Sequence, residues 1–207
     1  TISEPAVLTA DITQTNSILC NGDDDGELTG TITGGTSTYD YVWGTTAGGA
    51  EHATVNNSGL TNVQSGLEPD EYFLTVTDDN GCTASDNITI SEPTALTATS
   101  SGGAALDCNA DTDGTFEITG ADGTPGYTYS NSTGASYDAN GNAGAFVNSG
   151  VFTGLTAGTY TVRVKDANLC TFDISVTINE PAALTADITQ TNSILCNGDD
   201  DGELTGT

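Results

Sequence analysis

The feature that most constrains this 207-residue chain is an internal repeat of 88 residues. Residues 1–31 and 177–207 differ at only two of 31 positions. Half of that 176-residue shift relates the Glu-Pro dipeptides and the cysteines, which recur at Glu4, Glu92 and Glu180, at Cys20, Cys108 and Cys196, and at Cys82 and Cys170. Residues 4–91 and 92–179 match at 28 of 88 positions, so two unit types alternate. A fixed period of this length is typical of tandem modules, and we expect the sequence to be a window on a longer array.

Within each unit, short runs of alternating apolar and polar residues are interrupted by Gly, Asn and Asp, which predicts an all-β sandwich. The clearest strand covers residues 71–78 and places Tyr72, Leu74 and Val76 on one face. Tyr72 and its counterpart Tyr160 resemble the tyrosine corner of immunoglobulin-like domains, with an ordinary core tyrosine as the alternative. Seven strands are predicted in the first unit, at 8–12, 17–20, 27–33, 39–43, 53–55, 71–78 and 83–91. This number is typical of an immunoglobulin-like sandwich.

The period then sets the domain organisation. We predict the end of a preceding repeat at 1–5, immunoglobulin-like repeat 1 at 6–93, repeat 2 at 94–181 and the start of repeat 3 at 182–207. Each repeat runs through Glu-Pro into the next, and proline restricts both its own φ and the residue before it. We therefore expect the repeats to form a semi-rigid, extended rod.

The charge of the chain excludes several functions. Its 29 Asp and Glu residues face only two Lys and Arg residues and one His, giving a net charge of -27. Such a chain lacks the basic footprint that nucleic acids and anionic membranes require, and no apolar stretch is long enough for membrane insertion. A glycosidase-like carboxylate pair is the best enzyme hypothesis. We expect no enzyme, and no catalytic residue, because the acidic residues lie in the turns of a copied module.

The cysteine spacing allows two pairing schemes. Cys20 can pair with Cys82 and Cys108 with Cys170, within each unit, or Cys82 can pair with Cys108 across the junction. If the chain turns at 13–16, Cys20 returns to the end of the domain where the hairpin before Cys82 lies. We therefore predict pairing within units, with Cys196 bonded to a partner beyond residue 207. Disulfides imply an oxidising, extracellular location, whereas zinc is disfavoured because the chain has no CxxC motif and a single His.

A carboxylate cluster follows the first cysteine of each unit. It comprises Asp23 and Asp25, then Asp111 and Asp113, then Asp199 and Asp201. One interpretation is that these side chains shape and solubilise a tight turn. The alternative is calcium, the only cofactor that the composition suggests, although no EF-hand glutamate follows at the required distance.

The motifs CNGDDDG and CNADTDG, the segment GLTAGTYTVRVKDANLC and the closing INEP together resemble the SprB repeat of large adhesins from gliding bacteria. The likeness spans both full units. Its most specific residues, with their counterparts 88 residues on, are Cys20, Asn21, Asp25, Gly26, Tyr72, Asp78, Asn80 and Cys82. It implies an immunoglobulin-like module in a very long bacterial cell-surface protein, exported by type IX secretion and used for attachment or movement. It supplies no catalytic residue or ligand site. Two positions depart from it, since Asn131 replaces Trp43 and Leu169 replaces Gly81.

Three functions remain. The leading hypothesis is a structural stalk or filament segment of a secreted cell-surface adhesin that extends a distal adhesive tip. The second is a calcium-dependent module that binds glycans or surfaces. Trp43, beside two tyrosines, is a candidate for stacking on a sugar but is better interpreted as a core or junction residue. The third is a laterally packed extracellular filament. The partners are then neighbouring repeats of the same chain, other copies of the filament, or surface glycans.

Overall fold

The structure, a computed structural model, describes residues 4–45, 53–103, 105–133, 146–198, 200 and 202–207. Over these ranges the chain forms fifteen β-strands, numbered β1 to β15 in chain order. A search of the same residues finds no helix with the length and apolar character needed to cross a membrane.

Repeat 1 is a two-layer sandwich of seven strands. These are β1 (Thr9–Asn16), β2 (Gly26–Thr33), β3 (Tyr39–Gly44), β4 (Ala53–Ser58), β5 (Thr61–Leu67), β6 (Glu71–Asp78) and β7 (Thr83–Thr89). One sheet has the order β1-β2-β5 and the other β4-β3-β6-β7, and neighbouring strands are antiparallel. In immunoglobulin nomenclature these are strands A-B-E and C′-C-F-G. The predicted all-β, immunoglobulin-like fold is therefore confirmed.

The core of repeat 1 lies between these sheets and follows the period-2 alternation of the sequence. Strand β6 buries Tyr72, Leu74 and Val76, as the sequence predicts. Trp43 is fully buried, and its indole Nε1–H donates to Asn62 Oδ1 at 3.0 Å. A Cβ atom at Gly30 would lie 2.8 Å from the indole ring, so this glycine makes room for the tryptophan. Of the two positions predicted for Trp43, core or junction, the structure shows the core.

Both repeats contain a tyrosine corner. The Tyr72 hydroxyl donates to the carbonyl oxygen of Glu68 at 2.9 Å, and the Tyr160 hydroxyl donates to that of Thr156 at 3.0 Å. Burial raises the pKa of the Tyr72 phenol, and the nearby carboxylates of Asp70 and Glu68 raise it further. The corner ties the start of the F strand to the backbone four residues upstream in each repeat.

One strand predicted for repeat 1 is wrong, and one strand of repeat 1 is missed. Residues 17–20 form no strand, because β1 does not turn at 13–16 but continues to Asn16, where it is still paired with Glu27 of β2. The second half of β1, TQTN, is polar because this edge strand exposes it to solvent, so it lacks the alternation that would reveal a strand. Strand β5, also at a sheet edge and mostly polar, was not predicted.

Among the described residues, repeat 2 has the counterparts of six of the seven strands of repeat 1. Its strands are β8 (Thr97–Gly102), β9 (Gly114–Ala121), β10 (Thr128–Thr133), β11 (Val151–Leu155), β12 (Gly158–Lys165) and β13 (Thr171–Ile178). They form the sheets β8-β9-β11 and β10-β12-β13. Phe116 packs against Phe152 and Tyr160, with ring centroids 5.0 and 5.8 Å apart. Tyr160, Val162 and Val164 are buried, which confirms the inward face predicted for this strand.

The predicted start of repeat 3 forms a single hairpin of β14 (Ile188–Asn192) and β15 (Glu203–Gly206). Its register, Ile188 opposite Gly206, is that of Ile12 opposite Gly30 in repeat 1. The burial of equivalent side chains differs between this hairpin and repeat 1. Leu28 is 0% exposed, whereas its identical counterpart Leu204 is 69% exposed.

By compactness the chain divides into two units. Unit 1 comprises Thr1–Thr99, Gly120–Tyr129 and Arg163–Asp173, and unit 2 comprises Ser100–Thr119, Ser130–Val162 and Ile174–Thr207. Unit 1 thus contains all of repeat 1 together with three segments of repeat 2, at 94–99, 120–129 and 163–173.

Candidate functional site: the cysteine loop and its partner hairpin

The first half of the candidate site is the connection between β1 and β2, residues 17–25, called here the cysteine loop. Asp25 organises it, because its Oδ1 accepts the backbone N–H of Leu19 at 3.3 Å and its carbonyl accepts the Asn16 amide at 2.9 Å. Gly22 takes a positive φ of 85°, and the Asp23 N–H donates to the Cys20 carbonyl at 3.2 Å. These bonds form the tight turn that displays Cys20.

The Glu-Pro dipeptide that ends each repeat holds the cysteine loop in place. In repeat 1, Gly22 N–H donates to Glu92 Oε2, and the Asn21 amide donates to the Pro93 carbonyl at 3.2 Å. Repeat 2 has the same pair of bonds, from Ala110 N–H to Glu180 Oε2 at 2.8 Å and from the Asn109 amide to the Pro181 carbonyl at 3.1 Å. The cysteine loop therefore lies at the end of the repeat where the chain leaves it. The sequence predicts Glu-Pro only as a linker, and its recurrence every 88 residues is the one sequence signal of this second role.

The second half of the candidate site is the turn between β12 and β13, at the opposite end of a repeat. Asp166 Oδ1 accepts the backbone N–H groups of Asn168 and Cys170 at 3.0 and 2.9 Å, and its Oδ2 accepts that of Thr124 at 2.9 Å. Leu169 has a φ of 72°. The buried carboxylate thus fixes the turn that presents Cys170.

The equivalent turn of repeat 1, between β6 and β7, is built in the same way. Asp78 Oδ1 accepts the N–H groups of Asn80 and Cys82 at 3.0 and 2.8 Å, and its Oδ2 accepts that of Thr36 at 2.9 Å. The bond from Thr36, followed by those from Cys82 and Asn80, lowers the pKa of Asp78 although burial opposes the shift. Asp78 is therefore a structural acceptor, consistent with the hairpin that the sequence predicts there.

Within unit 1, a disulfide joins Cys20 to Cys170, whereas Cys82, Cys108 and Cys196 are free and exposed. The predicted pairs, Cys20 with Cys82 and Cys108 with Cys170, are not formed. The reason is the direction of β1. Because this strand runs its full length, it carries Cys20 to the loop end of repeat 1, while Cys82 lies at the hairpin end.

The contact around the disulfide also includes hydrogen bonds. The Asn168 amide donates to the Leu19 carbonyl at 3.0 Å and to Thr124 Oγ1 at 3.0 Å. A cavity of about 370 Å³ lies beside the bond, lined by Cys20, Asn21, Asp23, Ala95, Leu96, Leu169, Cys170 and Thr171. Its walls are loops of two repeats, and Asp23 supplies a carboxylate to its lining.

Two of the predicted calcium ligands, Asp25 and Asp23, have other neighbours in the structure. Asp25 is engaged inside the cysteine loop, and Asp23 lines the cavity beside Cys20. Asp199 and Asp201 lie outside the described residues. Among the residues that the structure does describe, no group of three or more His, Cys, Asp or Glu side chains could hold a metal ion. Calcium binding at Asp23, Asp25, Asp111 and Asp113 stays a prediction, and the contacts of Asp25 are those of a turn-shaping residue.

Comparisons with known proteins give a broad structural likeness. No protein-family model and no curated protein matches the chain. The three N-terminal domains of the Highly Immunogenic Outer Capsid protein (Hoc) of bacteriophage RB49 are 16% identical, covering 91% of this chain and 63% of theirs, with a TM-score of 0.49. A C-terminal 282-residue fragment of intimin, solved with the intimin-binding domain of its translocated receptor, is 15% identical, covering 90% of this chain and 67% of that fragment, with a TM-score of 0.41. The chain thus spans less than two thirds of the Hoc fragment, and neither likeness transfers a function to it.

Proposed function

We propose that the chain is a load-bearing structural segment of a secreted bacterial cell-surface adhesin, in which SprB-type repeats carry a distal adhesive tip away from the cell. One observation carries the proposal: Cys20 of repeat 1 is covalently bonded to Cys170 of repeat 2. A binding module needs no bond between consecutive repeats, whereas a stalk under tension gains from one. The same bond supports an oxidising, extracellular location.

The mechanical consequence follows from the covalent topology. The disulfide has a sequence separation of 150 residues. Force applied to the two ends of the chain passes from Cys20 directly to Cys170, so the residues between them stay unloaded even if their strands separate. At about 3.3–3.6 Å per extended residue, the bond withholds on the order of 500 Å of extension. Each linked pair of repeats then resists stretching by its covalent structure as well as by its fold.

The charge supports an extended surface role. Repeat 1 contains no Lys or Arg, and the two basic residues, Arg163 and Lys165, both belong to β12 of repeat 2. Like charge repeated along an array resists its collapse and its association with anionic surfaces. Lateral packing into a filament would bring negatively charged repeats of neighbouring chains together. Because like charges repel, the single stalk is the better proposal.

Single-molecule stretching tests the stalk. The chain is held at its termini and pulled until fully extended, first oxidised and then in the presence of a reductant. We expect the oxidised chain to extend by about 500 Å less than the reduced chain. Cys170→Ser should extend fully under oxidising conditions, and the matched variant Cys82→Ser should behave like the unmodified chain. Equal extension of the oxidised and reduced chains would overturn the proposal.

Binding measurements separate the stalk from the calcium-dependent module. The stalk proposal expects the isolated chain to give no signal on a glycan array with or without calcium. Glycan binding that a chelator abolishes would instead favour the binding module. Labelling of intact, unpermeabilised producer cells with an antibody against the chain tests the location, and labelling only after permeabilisation would contradict a surface role.

A further inference from the structure

The hairpin end of repeat 1 carries a surface on which Cys82 is free and exposed, and this surface matches one in repeat 2 on which the cysteine is bonded. This surface consists of Leu8, Gly35, Thr36, Asp78, Asn80 and Cys82. Its counterpart 88 residues on, in the part of repeat 2 that belongs to unit 1, consists of Leu96, Gly123, Thr124, Asp166, Asn168 and Cys170. The second surface holds the cysteine loop of repeat 1 through the Cys20 disulfide and the bond from Asn168 to Leu19. All six residue types are identical between the two surfaces.

The geometry is also conserved between the two surfaces. In each, the central aspartate accepts the same three backbone N–H groups, and the asparagine amide donates to the threonine Oγ1, at 2.9 Å from Asn80 and 3.0 Å from Asn168. In each, a glycine with positive φ brings its backbone against the leucine, and a Cβ at Gly35 would lie 2.8 Å from a Leu8 methyl group. The turn of repeat 1 therefore already has the shape that its counterpart uses when bonded.

What differs between the two surfaces is occupancy. Leu8 is partly buried, whereas Leu96 is 8% exposed. Asn80 and Cys82 are exposed, whereas Asn168 and Cys170 are half-buried. A cavity of about 190 Å³ lies on the surface of repeat 1, lined by Leu8, Gly35, Asp78 and Cys82 together with residues 4–7. These are the differences expected when a docked loop covers one surface and not the other.

The matching occupant is also present in the chain. The cysteine loop of repeat 2 is the counterpart of residues 17–25 and comprises residues 105–113. It is held by the same pair of hydrogen bonds as that of repeat 1, with Glu180 and Pro181 in the places of Glu92 and Pro93. Ala110 takes a φ of 66° where Gly22 takes 85°. This loop presents Cys108, which is free and exposed.

We propose that the hairpin end of each repeat is a docking site for the cysteine loop of the repeat that precedes it, so that Cys82 and Cys108 are unfilled halves of the same disulfide-sealed contact that Cys20 and Cys170 complete. The occupant of the surface around Cys82 is the cysteine loop of a repeat of the same type as repeat 2. On sealing, the two thiols lose two protons and two electrons as the S–S bond forms. A small-molecule disulfide such as oxidised glutathione accepts them and becomes two thiols. This inference stands on the geometry of the two surfaces and does not require the stalk function.

An extended chain tests the proposal directly. Residues 177–207 nearly duplicate residues 1–31, so a second copy of residues 32–93 placed after Thr207 completes a third repeat. That repeat supplies a hairpin end for the cysteine loop of repeat 2. After refolding in a glutathione redox buffer, we expect a disulfide between Cys108 and the added copy of Cys82. Alkylation should label Cys108 fully in the original chain and hardly at all in the extended one.

The Cys20 to Cys170 bond in the same molecules serves as the internal standard for folding. If it forms while Cys108 stays open to alkylation or pairs elsewhere, the proposal is wrong. If the Cys20 to Cys170 disulfide itself fails to form, the observed contact on which the proposal rests is absent, and the proposal is overturned as well.

A second variant tests whether the docking surface, and not chance thiol pairing, directs the bond. We expect Asn80→Ala in the added copy to shift the glutathione equilibrium of the Cys108 disulfide about fivefold toward the thiols, the size of one lost hydrogen bond. Asp79→Ala in the same copy is the matched control and should leave the equilibrium unchanged. Equal equilibria for these two variants would contradict a role for the surface.

Discussion

Cys20 is bonded to Cys170 in the next repeat and not to Cys82 in its own. The two cysteines of one repeat lie at its opposite ends, one on the cysteine loop beside Glu-Pro and one on the turn after the F strand. A bond within the repeat would have to span the length of the sandwich. Pairing between consecutive repeats is therefore the arrangement that strand direction dictates.

Thiol mapping of the native chain checks this pairing. Without reductant, we expect iodoacetamide to label Cys82, Cys108 and Cys196, which are exposed, and to leave Cys20 and Cys170 unlabelled. Proteolysis should release one cross-linked peptide pair, which separates on reduction. A peptide joining Cys20 to Cys82 would contradict the structure and restore pairing within the repeat.

The Asp78 carboxylate should be essential to the hairpin end of repeat 1. Asp78→Ala leaves the N–H groups of Thr36, Asn80 and Cys82 without their acceptor, so we expect a clear loss of stability. Asp79→Ala is the matched control, because the exposed Asp79 contributes its backbone N–H to Thr36, which alanine retains. Urea unfolding followed by Trp43 fluorescence reports repeat 1 alone, since Trp43 is the only tryptophan. Equal unfolding midpoints for the two variants would refute the role of the carboxylate.

The same carboxylate predicts an acid-dependent difference. The pKa of Asp78 is lowered below its ordinary value of 3.8, so the folded chain binds this proton less tightly than the unfolded chain. Its stabilisation is therefore complete above that value and is lost as the pH falls through the folded pKa. The stability gap between the unmodified chain and Asp78→Ala should narrow as the pH is lowered from about 5 to about 2. A gap that does not change over this range would show that the charge is not what matters.

The fold was more predictable than the pairing, for a physical reason. Strand β6 buries every second side chain, so its boundaries and its inward face can be read from EYFLTVTD. The tyrosine corner is one of the two interpretations that the sequence allows for Tyr72. Edge strands bury one face weakly, and the polar segments TQTN of β1 and TNVQSGL of β5 show little alternation. The position of Cys20 depends on how far β1 runs, so an error of four residues in an edge strand moved a cysteine to the wrong end of the domain.

Backbone strain distinguishes the two hairpin turns. Gly81 and Leu169 both adopt the left-handed region, with φ of 80° and 72°, and each donates its N–H to the aspartate carbonyl at the start of the turn. A side chain at this φ costs roughly 1–2 kcal/mol. We expect Leu169→Gly to stabilise repeat 2 by about 1 kcal/mol, since Leu169 is 70% exposed and little packing is lost. Amide hydrogen exchange of β12 and β13 measures this change in the free energy of unfolding.

The reciprocal substitution controls for packing. Nothing lies within 4 Å of a Cβ atom built on Gly81, so Gly81→Ala introduces strain without a clash. We expect it to destabilise repeat 1 by about 1 kcal/mol in Trp43 fluorescence. A neutral Gly81→Ala would mean that the turn relaxes and that Leu169 carries no strain.

Two leucines in identical sequence surroundings provide the sharpest test of the sandwich. Leu28 and Leu204 both lie in NGDDDGELTGT, but Leu28 is 0% exposed in the core of repeat 1 and Leu204 is 69% exposed on the β14–β15 hairpin. Local propensity is the same at both sites, so any difference must come from burial. We expect Leu28→Ala to cost about 2–5 kcal/mol, measured by urea unfolding with Trp43 fluorescence. We expect Leu204→Ala to cost less than about 0.5 kcal/mol, measured by amide hydrogen exchange of β14 and β15. In the chain extended by residues 32–93, Leu204 gains the surroundings of Leu28. Leu204→Ala should then destabilise the third repeat by about as much as Leu28→Ala destabilises repeat 1. The fluorescence of the added copy of Trp43 measures this in a chain that carries Trp43→Phe in repeat 1. Equal effects of the two substitutions in the original chain would contradict the burial that the structure assigns to them.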